Sequence, residues 1–101
     1  MIKHVVMFRW KPDITDADLA AIAAALDSLP PAIDAIRTYA HGPDLHASTG
    51  ANYDYAVVAT FDDVAGWQAY DTDPTHEAIR ADVIRPWIAE RAAVQFQTVA
   101  R

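Results

Sequence analysis

The amino-acid sequence predicts an α+β domain of ferredoxin-like β-α-β-β-α-β order with a four-stranded antiparallel sheet. Apolar residues alternate with a period of two along residues 2–10 and 53–61, as they do in strands. Helical spacing of apolar residues begins after residue 15 and again after residue 74. The 101-residue chain has the length of one domain, which we expect to span residues 1–101.

The first half of the chain is expected to form a strand, a helix and a second strand. Residues 2–10 place apolar side chains on both faces of the strand at its centre. Thr15, followed three residues later by Asp18, is typical of a capping box at the start of a helix. The pair Pro30–Pro31 is expected to end that helix, because proline lacks the backbone N–H, and a short strand follows near residues 37–42.

The second half is expected to form a strand, a short helix and a longer helix. Gly42–Pro43 opens a polar loop, and the strand over residues 53–61 follows it. Asp62–Asp63 can cap a short helix that continues through Tyr70. Asp73–Pro74 is typical of a helix start, with a capping carboxylate and a proline at the first helical position.

The longer helix and the last strand complete the predicted order. Apolar residues at helical spacing favour one helix along Ile79, Val83, Ile84, Trp87 and Ile88. Pro86 lies inside this stripe and removes a backbone hydrogen bond at a cost of about 3 kcal/mol, so we expect a kink over residues 82–86. Residues 93–99 alternate again and are expected to form the last strand.

Charge and composition exclude several function classes. The net charge is −6, and the eight basic residues are scattered along the chain, so nucleic acid is not an expected partner. No apolar run approaches the ~18 residues that a membrane span needs, and the amino terminus lacks a signal-peptide pattern, so we expect no membrane partner and a cytoplasmic location. The chain contains no cysteine, which rules out disulfides and thiolate chemistry.

The strand pattern also predicts self-association. Two helical segments in this order cover one face of a sheet, yet the strands at residues 2–10 and 53–61 carry apolar residues on both faces. An uncovered apolar face of that extent is unusual on a monomer. We therefore expect a homodimer in which two copies pack sheet against sheet.

Four segments together resemble the stress-responsive dimeric α/β barrel family, Dabb. They are the first strand at residues 3–8, the Gly-Pro-Asp loop at 42–44, the strand at 53–58 and the run Tyr-Asp-Thr-Asp-Pro-Thr-His at 70–76. The similarity extends over essentially the whole chain. The resemblance implies a homodimer whose two sheets form a barrel.

The resemblance also implies a site. One plant member of this family, olivetolic acid cyclase, closes a polyketide ring with a tyrosine and a histidine and without a cofactor. Those two residues match Tyr70 and His76, which are therefore the expected catalytic pair, and the member's first-strand histidine matches His4. Another pocket histidine of that member falls at Tyr55, so His4 and Tyr55 are the expected substrate-binding residues. Neither a cofactor nor a metal is expected.

The chemistry expected of this pair is proton transfer on a small, apolar carbonyl or polyketide compound. His76 lies in the first turn of the helix that starts at Pro74, where the positive end of the helix dipole favours a neutral imidazole. Such a base can take a proton from carbon between two carbonyl groups while the Tyr70 hydroxyl hydrogen-bonds the enolate oxygen. Two alternatives stay open: a cofactor-independent monooxygenase, and a non-catalytic dimer that binds a small ligand.

A second group of polar residues lies at the end of the predicted second strand and in the loop that follows it. His41 and His46 flank Asp44, but their spacing matches no closed metal site. We expect this segment to be solvated surface.

Overall fold

A single four-stranded sheet with strand order β2-β3-β1-β4 organises the molecule, in a computed structural model that describes residues 1–99. The strands are β1 (Ile2–Trp10), β2 (Thr38–Pro43), β3 (Tyr55–Phe61) and β4 (Ile88–Gln97). Every neighbouring pair is antiparallel, and β1 lies between β3 and β4. The predicted ferredoxin-like fold class is confirmed.

The first helix begins as the sequence predicts. Helix α1 (Asp16–Asp27) carries a complete capping box, in which the Thr15 hydroxyl accepts from the Asp18 N–H and the Asp18 carboxylate accepts from the Thr15 N–H. Helix α1 ends at Asp27, just before Pro30 and Pro31, and both prolines lie in a further helical turn that the sequence pattern did not predict, α2 (Leu29–Ala32). Proline is tolerated there because the N–H groups of a first turn have no helical acceptor.

Aspartates begin the two helices that follow β3. Asp63 accepts a hydrogen bond from the Gly66 N–H at the start of α3 (Val64–Asp71). Asp73 accepts from the N–H groups of Thr75 and His76 at the start of α4 (Pro74–Ile79). Both capping predictions are confirmed.

The segment after α4 differs from the expected kinked helix. A π-helical turn covers Arg80–Ile84, and a 3-10 turn covers Arg85–Trp87. The N–H of Arg85 reaches back five residues to the carbonyl of Arg80, and Pro86 then lies in the first turn of the 3-10 segment, where its missing N–H costs no helical bond. The proline is thus accommodated by a new turn rather than by a bend.

Strand β4 starts earlier than the sequence pattern predicts. It begins at Ile88 instead of residue 93, so Ile88 belongs to the sheet and not to the helical stripe. It ends at Gln97, whereas the prediction ran to residue 99. These limits follow from its pairing with β1, which runs from Ile88 opposite Trp10 to Gln97 opposite Ile2.

The helices cover one face of the sheet, and the core lies between the two layers. Burial alternates along β1 as far as Phe8 and along the whole of β3. The residues buried in this core are Ile2, Val6, Phe8, Ile22, Leu26, Leu29, Ile33, Tyr55, Val57, Ala59, Phe61, Tyr70 and Ile84. Within residues 1–99, no helix has the length and apolarity to cross a bilayer.

The opposite sheet face carries exposed apolar side chains. Val94 is 53% exposed and lies in register with the half-buried Val5, and Phe96 is 44% exposed and lies opposite Lys3. Val58 continues this row on β3. This is the face that the sequence analysis expects a second copy to cover.

Candidate active site

A cavity of about 190 Å³ lies between the helix-facing side of the sheet and the segments from α3 to the 3-10 turn. Its polar lining includes His4, Tyr39, Tyr70, His76 and Gln95, and its apolar lining includes Val6, Phe8 and Ile84. Three of the four site residues predicted from the sequence therefore meet in one cavity. They come from β1, from the end of α3 and from the start of α4, which are brought together only by the tertiary fold.

His76 is held as a neutral imidazole with its proton on one defined nitrogen. Its side chain is buried, and its Nδ1 lies 2.8 Å from the carbonyl oxygen of Tyr70. A carbonyl can only accept, so Nδ1 carries the hydrogen and Nε2 keeps a free lone pair. Burial lowers the pKa of His76 and the charge of Arg80 lowers it further, while the bond to the Tyr70 carbonyl opposes them. Burial is the largest cause of the lowered pKa and keeps this base neutral.

His4 has the opposite tautomer. The side-chain amide nitrogen of Gln95 lies 2.8 Å from Nδ1 of His4, and an amide NH₂ can only donate. Nδ1 is therefore the acceptor, and the hydrogen of the neutral ring is on Nε2. Burial lowers the pKa of His4 to about 4, and the positive charge of Arg91 contributes to the shift.

Tyr70 lies between the two histidines. Its ring stacks on His76 with centroids 3.9 Å apart and meets the ring of His4 edge-on at 5.9 Å. The Tyr70 hydroxyl lies 3.0 Å from the hydroxyl of Tyr39. Burial raises the pKa of Tyr70, so the hydroxyl is protonated at neutral pH and is available as a donor.

The structure does not bring Tyr55 to this cavity. Its hydroxyl lies 2.7 Å from Nδ1 of His41, whose Nε2 contacts the carboxylate of Asp27 at 2.6 Å. His41 belongs to β2, within the predicted second strand, and is half-buried, so the expectation that it lies on a solvated surface is wrong. His46 is exposed as expected. Residues 1–99 contain no cluster of three or more histidine and acidic side chains that could hold a metal ion.

Several lining residues were missed by sequence reasoning. Tyr39 and Gln95 fix the hydroxyl and imidazole that face the cavity, while Trp67, Arg80 and Arg91 form parts of its wall. Tyr39 alternates with His41 on β2, which is a signal that the sequence carries. The contact between Gln95 and His4 joins residues 91 positions apart and has no local signal.

The fold and the cavity together define a class: a ferredoxin-like α+β protein with neutral histidines and a buried tyrosine beneath its sheet. The chain belongs to the stress responsive A/B barrel domain family, Dabb, whose sequence profile matches residues 2–98. The family resemblance seen in the sequence is thereby confirmed. No curated protein matches the sequence.

Solved structures share this fold. A dimeric ferredoxin-like protein of unknown function from Thermobifida fusca is 42% identical over 96% of this chain and 90% of its own, with a TM-score of 0.87. A Dabb family protein from Mesorhizobium loti is 18% identical over 98% and 97%, with a TM-score of 0.82. A hydroxynitrile lyase from Passiflora edulis is 17% identical over 94% and 90%, with a TM-score of 0.83.

Proposed function

We propose that this protein is a cofactor-free acid–base enzyme that acts on a small carbonyl compound. The observation that carries the proposal is the pair of opposite tautomers on either side of Tyr70. Neutral His76 presents a lone pair on Nε2, and neutral His4 presents an N–H on Nε2. One cavity thus holds both a base and hydrogen-bond donors at neutral pH.

The reaction step follows from these groups. A C–H bond beside a carbonyl group breaks, its proton passes to Nε2 of His76, and its electron pair moves to the carbonyl oxygen as an enolate forms. The Tyr70 hydroxyl and the His4 N–H donate hydrogen bonds to that oxygen. The enolate carbon can then take the proton back or attack a second carbonyl carbon. Tyr39 is a positioning residue, since its hydroxyl can donate to Tyr70 and leave the Tyr70 proton for the substrate.

The volume of the cavity limits the size of the substrate that it can hold. An apolar cavity of about 150 Å³ accommodates benzene, whereas pockets for drug-sized ligands begin at about 300 Å³. The cavity of about 190 Å³ fits a compound with one small ring or a short chain. A cyclase-like reaction therefore applies to a compact carbonyl compound better than to an extended polyketide.

The comparisons support two parts of this proposal. The 42% identical Thermobifida fusca protein is described as dimeric, which supports a homodimer; the exposed sheet face is the surface through which we propose that it forms. The Passiflora edulis neighbour is a hydroxynitrile lyase, so one protein with this fold is an enzyme. A cytoplasmic location and a single domain over residues 1–101 stay predictions from the sequence.

Deuterium exchange at activated carbon tests the proposal directly. Small 1,3-diketones and cyclic ketones are incubated in D₂O with the wild type, His76→Ala, Tyr70→Phe and the exposed control His46→Ala, and exchange is followed by NMR. We expect His76→Ala and Tyr70→Phe each to lose about 100-fold of the enzyme-dependent rate, and His46→Ala to keep it.

Other outcomes separate the alternatives. Equal rates in all four proteins would contradict the assigned roles. Ligand binding without exchange would favour the non-catalytic dimer, and oxygen incorporation into a phenolic substrate would favour the monooxygenase.

A further inference from the structure

The wall of the cavity is positively charged although the protein as a whole is acidic. Arg80, Arg85 and Arg91 line the cavity, and Asp71 is the carboxylate that lines it with them. Both histidines are neutral at pH 7 because burial lowers their pKa values. In a chain with a net charge of −6, this places an excess of positive charge at one concave site. Clefts lined by one sign of charge focus the field and attract the opposite ion.

The three arginines differ in how far their charge is already paired. Arg80 contacts the carboxylates of Asp71 at 2.9 Å and Glu77 at 2.7 Å. Arg85 lies 3.5 Å from Glu77. Arg91 has no carboxylate within 4.0 Å in residues 1–99. Among these three arginines, Arg91 is therefore the one whose guanidinium is best able to bind an anion.

The position of Arg91 places its charge at the mouth of the cavity. Arg91 is on β4, where it lies opposite Phe8 of β1, and it shares a sheet face with His4 and Gln95. Since β4 is an edge strand, Arg91 and Gln95 are exposed beside the cavity that they line. The charge also reaches the interior, because Arg91 contributes to the lowered pKa of His4.

The wall holds hydrogen-bond donors that lack acceptors. Among the described residues, Nε1 of Trp67 and Nε of Arg80 are buried nitrogens without a hydrogen-bond partner. Both belong to side chains that line the cavity. Both nitrogens lie inside the wall, out of reach of a water-sized molecule, so they do not contact a ligand in the cavity and the anion site rests on Arg91.

We propose that the substrate is a small organic acid, such as an oxo acid or an aromatic hydroxy acid, whose carboxylate binds at Arg91. Its reacting carbonyl or phenolic oxygen then faces Tyr70 and His4 in the interior. Charge-assisted hydrogen bonds from guanidinium to carboxylate are about twice as strong as neutral ones, which orients the molecule with its anionic end outward. This assignment rests on the proposed function for the reacting end only, because the anion site can be tested by binding.

Benzoate and its neutral isostere benzamide test the anion site. Each compound is titrated into the ¹⁵N-labelled full chain at constant ionic strength. Binding is followed through the Trp67 indole and arginine Nε–H resonances. We expect benzoate to bind about tenfold more tightly than benzamide, since a hydrogen bond to a charged group contributes more than a neutral one. Raising the salt concentration should weaken the binding of benzoate and leave the binding of benzamide unchanged.

Variants assign the effect to one side chain. Arg91→Gln should lose the preference for benzoate, and Arg91→Lys should keep part of it. Arg37→Gln is the matched control, because Arg37 pairs with Asp62 on the surface and does not line the cavity. Equal affinities in the wild type, no binding of either compound, or an unchanged preference in Arg91→Gln would each overturn the proposal.

The two proposals can fail separately. Deuterium exchange into neutral diketones without a preference for benzoate would support the acid–base function and contradict the proposed anion site. A preference for benzoate that depends on Arg91, without exchange into any carbonyl compound, would support the anion site and contradict the proposed catalytic roles.

Discussion

Acidification should destabilise this protein through one buried histidine. His4 is 6% exposed, and burial lowers its pKa from 6.5 to about 4. In the unfolded chain the same side chain returns to its ordinary pKa. As the pH falls below about 6.5, the unfolded state therefore takes up a proton that the folded state does not, and the free energy of unfolding decreases until the pH reaches about 4.

The size of the effect follows from the two pKa values. Between about pH 7 and about pH 4.5, proton binding by the unfolded state lowers the free energy of unfolding by about 2 kcal/mol through His4 alone. That is a large part of the stability of a small domain, which is about 5–15 kcal/mol in total. Other groups titrate in the same range, so the contribution of His4 must be isolated by difference.

Urea unfolding of the wild type and His4→Gln isolates the contribution of His4. Each protein is measured at both pH values and at one protein concentration, because association changes apparent stability. We expect the loss between the two pH values to be about 2 kcal/mol smaller in His4→Gln than in the wild type.

A second measurement does not depend on a stable variant. The Cε1–H resonance of His4 in the wild type should stay at its neutral position until the pH approaches 4. Full pH dependence in His4→Gln, or a His4 resonance that titrates near pH 6.5, would refute the assignment of a desolvated neutral imidazole.

Two further predictions concern association and the first helix. Val94→Lys should weaken self-association at least about tenfold in sedimentation experiments, because an ammonium group cannot be buried at a sheet-to-sheet contact without a partner. Val64→Lys is its control, since Val64 and Val94 are both 53% exposed but Val64 lies in α3; equal dimer stability in the two variants would contradict the proposed face. Thr15→Ala should lower the free energy of unfolding by about 1 kcal/mol, measured by urea denaturation, because it removes the capping box. A loss no larger than that of Thr49→Ala, in the exposed loop, would show that the cap contributes nothing.

Much of the fold could be read from short stretches of sequence. The period-two pattern of β1 predicts both its limits and its two faces, and the aspartates at positions 63 and 73 predict the starts of α3 and α4. Each of these signals acts over a few residues, so the chain displays it directly. The choice of Tyr70 and His76 as a pair, by contrast, came from the family resemblance and not from a local signal.

The errors fall where local signals conflict. Ile88 fits both a helical stripe and a strand, and its pairing with Trp10 places it in β4. Pro30 and Pro86 each suggested an end or a bend, and each lies in the first turn of a new helical segment. A proline in the sequence shows which backbone N–H is missing, but it does not show whether the chain bends there or begins a new helical turn.

The sequence by itself determined the order of the elements, the capped helix starts, the two-sided apolar strands and the presence of a histidine and a tyrosine near one helix start. Only the tertiary structure decided what those side chains can do. The tautomer of His4 depends on Gln95, the orientation of Tyr70 depends on Tyr39, and the charge at the cavity mouth depends on Arg91. The physical reason is that protonation and orientation follow from burial and hydrogen-bond partners, and here those partners lie on strands far apart in the chain.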